Sequence, residues 1–157
     1  MRIVALVLVL LLIPVASQAD ILDAPCSKYG IPKKLALAIL IQESKGNPWA
    51  VNVAGKSYMP KTKSEALSII HRNKDKSFDI GIMQINSQWL RRFNISPEVA
   101  IEPKNNVTIG CWILASCIKR HGYGWKAIGA YHSPKPERQA AYVKLIAKHL
   151  TALGRTK

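Results

Sequence analysis

Acidic residues are scarce in this chain. It has 9 Asp and Glu against 23 Lys and Arg, and its formal net charge is +14. A field of this sign attracts polyanions, and few carboxylates remain for acid-base chemistry. The basic residues are scattered rather than gathered in one block, and neither a helix-turn-helix nor zinc-ligand spacing is present. Nucleic acid is therefore not the expected partner, and the alternative to polyanion binding is a merely solvated basic surface.

Cysteine is also scarce, with only Cys26, Cys111 and Cys117. In an oxidising compartment these allow one disulfide and leave one thiol over. Cys111 and Cys117 are six positions apart in one expected helix, so they lie on different sides of it and cannot bridge each other. We expect Cys26 to pair with Cys111 or Cys117. A catalytic thiol is not expected, because no histidine lies in a recognisable cysteine-protease context.

Internal repeats, low-complexity tracts and interdomain linkers are absent, which favours a single domain. Residues 1–19 stand apart from that domain. Arg2 provides a positive start, residues 3–15 form an apolar run too short to span a bilayer comfortably, and residues 17–19 are of the kind that a signal peptidase reads. We expect cleavage directly after Ala19, a mature domain of residues 20–157, and a periplasmic or secreted location. An uncleaved membrane anchor is the alternative.

Residues 35–44 carry the strongest chemical signal. Seven consecutive apolar residues lead into Gln42 and Glu43, and the helix-breaking residues 46–48 follow at once. A helix that is buried nearly all round would therefore present one carboxylic acid at its C-terminal end. The negative end of the helix dipole and the apolar surroundings both disfavour the ionised form, as a general acid requires. The alternative is a solvent-facing helix end.

The hydrophobic pattern predicts a mostly α-helical chain. Residues 78–86 alternate apolar with polar or small residues and predict a strand or extended segment, so at most one short hairpin or extended piece is expected within residues 50–86. Asn105 or Asn106 is expected to cap a long helix that ends near Arg120. Helices are predicted over residues 32–44, 65–72, 87–93, 107–120 and 125–131, with further starts at Pro97 and Pro136.

The last of these helices is amphipathic. Its spacing predicts an inward face of Ala140, Val143, Ala147 and Leu150.

Four motifs occur in a fixed order along the chain. They are Glu43-Ser44, Gly81-Ile82-Met83-Gln84-Ile85-Asn86, Asn106 with Gly110 and Leu114, and Ala127-Ile128-Gly129-Ala130-Tyr131. In order and residue type they resemble the lytic transglycosylase family of the soluble, lysozyme-like kind, and especially its small specialised members that accompany secretion, pilus and conjugation machines. The resemblance covers roughly residues 31–150. It implies a mainly α, lysozyme-like (α+β) fold with a compact helical domain and the short β or extended segment beside the catalytic cleft.

The resemblance also implies a reaction. Family members cleave the β-1,4 bond between N-acetylmuramic acid and N-acetylglucosamine in peptidoglycan with one carboxyl group instead of two. Glu43 would protonate the glycosidic oxygen and then, as a carboxylate, deprotonate the muramic C6 hydroxyl, which closes a 1,6-anhydro ring. No metal or organic cofactor is implied. The implied partners are peptidoglycan strands and components of a secretion, pilus or conjugation apparatus, and we expect a monomer.

Five further site residues follow from the motif match. Ser44, Gln84 and Asn86 would orient the sugar, although Gln84 and Asn86 could equally be buried groups that bond the backbone of their own bend. Tyr131 matches the family tyrosine whose hydroxyl is placed against the catalytic carboxyl. His132 stands where the family usually has Asn, so a sugar contact is kept there in altered form or lost.

Residues 56–77 are longer than the turn that commonly precedes the Gly-Met-Gln motif. The segment could form a lid or an added cleft wall, and its basic residues could meet the carboxylates of peptide stems. Simple solubility is the favoured explanation of these basic residues.

Two rival functions stay open. One is a lysozyme-type hydrolase that uses Glu43 with Asp79 as its second carboxylate. The other is a non-catalytic, cationic cell-wall-binding protein on a lysozyme-like scaffold.

Overall fold

The computed structural model describes the backbone of residues 15–155 and the side chains of residues 21–155. Most of the predicted signal peptide lies outside these residues, so cleavage after Ala19 stays a prediction. The first described helix, α1 (Val15–Tyr29), runs across that position. Within the described part of the chain, no helix combines the length and apolarity that crossing a membrane requires.

Helices dominate the described chain, and one small sheet interrupts them. The elements are α1, α2 (Lys33–Ser44), β1 (Val51–Val53), β2 (Lys56–Tyr58), α3 (Lys63–Arg72), β3 (Phe78–Ile80), β4 (Ile85–Asn86), α4 (Ser87–Arg92), α5 (Pro97–Ala100), α6 (Pro103–His121), α7 (Trp125–His132) and α8 (Pro136–Arg155). The predicted mainly α class is confirmed. The β part is larger than the single hairpin that was expected.

Helix α2 forms where the apolar run predicted it. Pro32 precedes its first turn, and Lys45 ends it in the left-handed conformation, with φ of 54° and a backbone hydrogen bond from its N–H to the Ile41 carbonyl. Its buried side chains belong to the main core, and burying each Leu or Ile contributes about 1.5–3 kcal/mol. Helix α2 packs mainly against α8 and also against α1. This packing holds the C-terminal end of α2 in place and so fixes the position of Glu43.

The four strands form an antiparallel sheet in the order β2-β1-β3-β4. Its register places Asn52 opposite Asp79, and Asp79 opposite Asn86. Because side chains alternate between the two faces of a strand, these three polar residues form one row across the sheet. Their neighbours Val51, Ile80 and Ile85 are buried in the core.

The expected continuous strand over residues 78–86 is wrong in its centre. Residues 81–84 form a turn between β3 and β4, in which Gly81 and Gln84 have φ values of 78° and 47°. Alternation alone did not reveal this turn, because its residues Ile82 and Met83 are buried like strand residues.

Asn106 has a different role from the predicted helix cap. Helix α6 starts earlier, at Pro103, because proline is well suited to the first turn. The fully buried Asn106 side chain accepts a hydrogen bond from the Met83 N–H at 2.8 Å and donates to the carbonyls of Ile80 at 3.0 Å and Ala100 at 2.9 Å. A Cβ on Gly81 would lie 2.2 Å from the Asn106 amide nitrogen, so this position requires glycine.

The inward face of α8 also differs from the prediction. Tyr142 and Ile146 are its buried residues, whereas Ala140 is exposed and Val143 is only half-buried. The difference matters because Tyr142 reaches the candidate site.

Candidate active site

Glu43 lies at the C-terminal end of α2, in a cleft of about 940 Å³. Its side chain is 11% exposed, so it is largely shielded from water and still open to the cleft. Residues from α2, the sheet, α4, α6, α7 and α8 line the same cleft. A cleft of this volume that contains one nearly buried carboxyl group suits a substrate of several sugar units.

The Tyr142 hydroxyl holds this carboxyl group. It donates a hydrogen bond of 2.7 Å to Glu43 Oε1, and the tyrosine itself is only 2% exposed. Burial and the charge of Glu43 raise the pKa of Tyr142 far above its ordinary value of 10.0, so the phenol stays protonated and remains a donor. Tyr142 was not among the residues predicted from the sequence.

Tyr131 makes a structural contact that was not predicted. It lines the cleft, but its hydroxyl donates to the backbone carbonyl of Met83 at 2.8 Å and not to Glu43. Burial and the nearby Glu43 charge raise the pKa of Tyr131 well above its usual value. The expected hydrogen bond from Tyr131 to Glu43 is therefore not made, and Tyr131 secures the turn of residues 81–84. Its place among the substrate-binding residues stays a prediction.

His132 does lie beside Glu43. Its ring stacks on Tyr142 with 4.3 Å between centroids and 4° between planes, and its Nδ1 is 3.7 Å from Glu43 Oε1. This distance is too long for a hydrogen bond, but a protonated His132 would form an ion pair with the carboxylate. The stacked side chains of Tyr142 and His132 therefore both lie next to Oε1 of Glu43.

Besides the bond between Tyr142 and Glu43, a second contact joins α8 to α2. Gln42 Oε1 and His149 Nε2 are 3.0 Å apart, so α2 and α8 are linked one residue before the catalytic candidate as well.

Asp79 is the other acidic residue of the cleft. Burial raises its pKa above the ordinary 3.8, the hydrogen bond from Asn86 opposes that rise, and the charge of Glu43 adds to it. The bond from Asn86 Nδ2 to Asp79 Oδ1 is 2.8 Å long. The structure therefore places both carboxylates of the hydrolase alternative in one cleft.

Gln84 and Asn86 both line the cleft and also bond within the protein. Gln84 Nε2 donates to the carbonyls of Ala50 and Gly81 at 3.0 and 2.9 Å. Asn86 caps α4 by accepting from the Gln88 N–H at 2.9 Å, while its amide nitrogen binds Asp79. Both residues shape the cleft wall, and sugar binding by them stays a prediction.

Ser44 does not line the cleft. It is 2% exposed, and its hydroxyl donates to the Leu40 carbonyl and accepts from the Gly46 N–H, each at 3.2 Å. The hydroxyl closes the end of α2 directly behind Glu43, and a contact between Ser44 and the sugar stays a prediction.

The three cysteines are free thiols in the structure. Cys26 and Cys111 are both buried, share a side-chain hydrogen bond, and belong to the packed helices α1 and α6. Cys117 instead lines the cleft. Burial and the neighbouring Cys26 raise the pKa of Cys111 to about 12. The disulfide stays a prediction, with Cys111 as the partner that already contacts Cys26.

The segment 56–77 adds only Ser57 and Ser77 to the cleft lining. Its basic residues, which the sequence suggested for stem carboxylates, are not part of that lining. Lys63, for example, pairs with Glu102.

Among the described residues, no group of three or more His, Cys, Asp and Glu side chains is arranged to hold a metal ion.

Comparison with known families identifies the fold and its activity. Residues 20–141 match the family described as Transglycosylase SLT domain. The chain belongs to this family. It is a lytic transglycosylase by family, and peptidoglycan is the polymer on which it acts.

Curated relatives are similar over most of the chain. Protein IpgF of Shigella sonnei is 34% identical over 139 residues, which cover 84% of this chain and 79% of that protein. Invasion protein IagB of Salmonella typhimurium is 30% identical over 126 residues, which cover 78% and 67%. Type IV secretion system protein virB1 of Brucella abortus is 30% identical over 104 residues, which cover 64% and 43%.

Proposed function

We propose that this transglycosylase cleaves the N-acetylmuramic acid to N-acetylglucosamine bond with Glu43 as acid and then as base, and forms a 1,6-anhydromuramic end. The observation that carries the proposal is the nearly buried Glu43 carboxyl in the cleft, held at 2.7 Å by the Tyr142 hydroxyl. One positioned carboxyl group is sufficient for both proton transfers.

In the first step, Glu43 donates its proton to the glycosidic oxygen, and the bond to the muramic C1 breaks. Because Tyr142 occupies Oε1, the proton to be transferred is carried by Oε2. The carboxylate that forms keeps the hydrogen bond from Tyr142, and such a bond strengthens as negative charge develops on its acceptor.

In the second step, the Glu43 carboxylate removes the proton of the muramic C6 hydroxyl, and the C6 oxygen bonds to C1. The hydroxyl is part of the same sugar, and well-oriented intramolecular groups reach effective concentrations of about 10⁵–10⁸ M. Glu43 ends the cycle protonated, so it is ready for another bond.

The second candidate function is hydrolysis. It is favoured by Asp79, which lies in the same cleft and interacts electrostatically with Glu43. Asp79 would act there as nucleophile or as the base for a water molecule.

The cellular role follows from the relatives. One carries the name invasion protein, and another is described as a type IV secretion system protein. Their similarity supports an enzyme that opens the wall locally for an envelope-spanning machine, and the predicted signal peptide would deliver it to the periplasm.

Mass spectrometry of peptidoglycan digested with purified residues 20–157 tests the proposal. We expect muropeptides that end in 1,6-anhydro-N-acetylmuramic acid, which are lighter by one water than the hydrolysis products. Dominant reducing-end products would establish the hydrolase and make Asp79 the next residue to substitute. Absence of both products would favour the non-catalytic wall-binding protein.

A further inference from the structure

Three basic side chains line the same cleft as Glu43. Arg120 and His121 belong to the last turn of α6, and Arg138 lies in the first turn of α8. All three are exposed, so they are accessible to a ligand that occupies the cleft.

The two arginines have no acidic partner in the part of the chain that the structure describes. The carboxylates in the cleft lining are Glu43 and Asp79. The described ion pairs are Lys33 with Asp23, Lys63 with Glu102, His71 with Glu98, and His132 with Glu43. Neither Arg120 nor Arg138 takes part in them, so both guanidinium groups can bind an external anion.

The charge of Arg120 acts on another residue of the cleft lining. It opposes the burial-driven rise in the pKa of Cys117. The cleft lining therefore includes the acidic side chains Glu43 and Asp79 and, on α6 and α8, three basic side chains.

The glycan of peptidoglycan is uncharged, and its regular anionic groups are the carboxylates of the peptide stems attached to muramic acid. Near Glu43 and Asp79 such a carboxylate would be repelled, whereas beside the arginines it would be attracted. A guanidinium group also matches a carboxylate in geometry, because two N–H groups can bind two oxygens.

We propose that Arg120, His121 and Arg138 form a binding site for peptide-stem carboxylates, which gives the enzyme a preference for glycan strands that still carry their stems. This site is distinct from the basic residues of segment 56–77, which do not line the cleft. The inference rests on the proposed function in that it takes peptidoglycan as the ligand.

Equilibrium binding tests the site without requiring cleavage. The protein carries Glu43→Gln, so that it binds without turnover, and calorimetry compares two soluble ligands. One is a tetrasaccharide fragment of peptidoglycan with its peptide stems, and the other is the same fragment after an amidase has removed the stems. We expect the stem-bearing fragment to bind more tightly at low salt, and the preference to fall as salt is raised.

Substitution of the arginines tests whether they cause the preference for the stem-bearing fragment. Arg120→Gln and Arg138→Gln should each raise the Kd of the stem-bearing fragment by about 2- to 5-fold, which is the range for exposed ion pairs, and the double variant by about 10-fold. Arg138→Lys should restore part of the loss, because it keeps the charge. Arg91→Gln is the matched control, since Arg91 is exposed but outside the cleft lining, and it should change neither Kd.

An equal loss of affinity for the two fragments in the arginine variants would overturn the proposal. The arginines would then bind the sugar chain or stabilise the fold. A wild-type protein with no stem preference would overturn it too. Failure of the proposed function would appear elsewhere, as absence of anhydro products from the wild-type digest, and would leave the binding comparison intact.

Discussion

The hydroxyl of Tyr142 donates a 2.7 Å hydrogen bond to Oε1 of Glu43, although 99 positions separate the two residues in sequence. Glu43 lies in the last turn of α2, and Tyr142 lies in α8, which packs against α2. The candidate catalytic carboxyl is therefore oriented by tertiary packing, and residues adjacent to it in sequence, such as Ser44, serve to end the helix.

Tyr142→Phe should lower kcat about 10- to 100-fold. A hydrogen bond to a charged group contributes about 1.5–3 kcal/mol, and this one is expected to strengthen as Glu43 ionises. The phenyl ring keeps the stacking with His132, so the fold should be unchanged. Release of soluble muropeptides under initial-rate conditions measures the effect.

Tyr131→Phe is the matched control for that substitution. Its hydroxyl bonds the Met83 carbonyl, so its loss should reduce the free energy of unfolding by about 1–3 kcal/mol and affect kcat less than Tyr142→Phe does. If Tyr131→Phe has the larger effect on kcat, the role assigned to Tyr142 is incorrect.

Glu43→Gln should abolish wall lysis and preserve the fold. The amide is nearly isosteric but cannot transfer the proton, and because one group performs both steps the loss should exceed the ~10²- to 10⁴-fold typical of acid-base catalysis. Turbidity of a peptidoglycan suspension reports the rate, and circular dichroism checks the fold. Residual activity above about a tenth of wild type would remove Glu43 from the mechanism.

Asp79→Asn should stabilise the protein at about pH 7. Burial raises the pKa of Asp79 in the fold above its ordinary value of 3.8, so the fold favours the neutral carboxyl. The stability that this group contributes is complete below the unfolded pKa and is lost as pH rises through the folded pKa. Asparagine is neutral at every pH and keeps an acceptor for Asn86. Urea unfolding should therefore show a gain at about pH 7 that disappears near pH 3, and a loss at pH 7 would contradict the expectation.

Asn106→Ala should destabilise the protein by at least about 3 kcal/mol. The side chain makes three buried hydrogen bonds, and each partner left without one costs about 1–3 kcal/mol, in part offset by relaxation. Thermal unfolding measures the loss. Asn105→Ala is the control, because the Asn105 side chain is exposed and bonds a single carbonyl. Similar losses of stability in the two variants would show that the three buried hydrogen bonds of Asn106 do not cause the destabilisation.

Cys26 and Cys111 should form a disulfide after export and leave Cys117 as the free thiol. The bridge would close a long loop and contribute roughly 4–5 kcal/mol in the chain-entropy model. Thiol counting on denatured, unreduced protein should give one free cysteine. In reduced, folded protein, burial and a pKa of about 12 should protect Cys111 from alkylation at neutral pH. A count of three in the exported protein would mean that these thiols are only core residues.

The sequence predicted the elements whose signals are local. The apolar run before residues 46–48 located α2 and Glu43, the helix predicted over residues 87–93 corresponds to α4, and Pro136 located the start of α8. In each case neighbouring residues in sequence provide both the signal and the structure. These are also the elements whose prediction needed no knowledge of their packing partners.

Tyr142 was missed because its role depends on a distant partner. The predicted inward face of α8 was drawn through Ala140 and Val143, which lie two positions before and one position after the buried Tyr142. A tyrosine four residues before Ile146 was a usable signal, since a buried tyrosine hydroxyl normally has a hydrogen-bond partner. Asn106 was misread for a related reason: asparagine is a common cap, and its three buried partners are invisible in the sequence.

The packing of α8 on α2 links the orientation of Glu43 to the completion of the fold. Glu43 emerges in the first third of the chain, but Tyr142 and His149, which contact it and Gln42, belong to the last helix. Domains tend to fold as units once their sequence is complete. A chain in which α8 has not docked therefore holds the candidate acid without the phenol that orients it, so we expect it to cleave the wall more slowly than the complete fold.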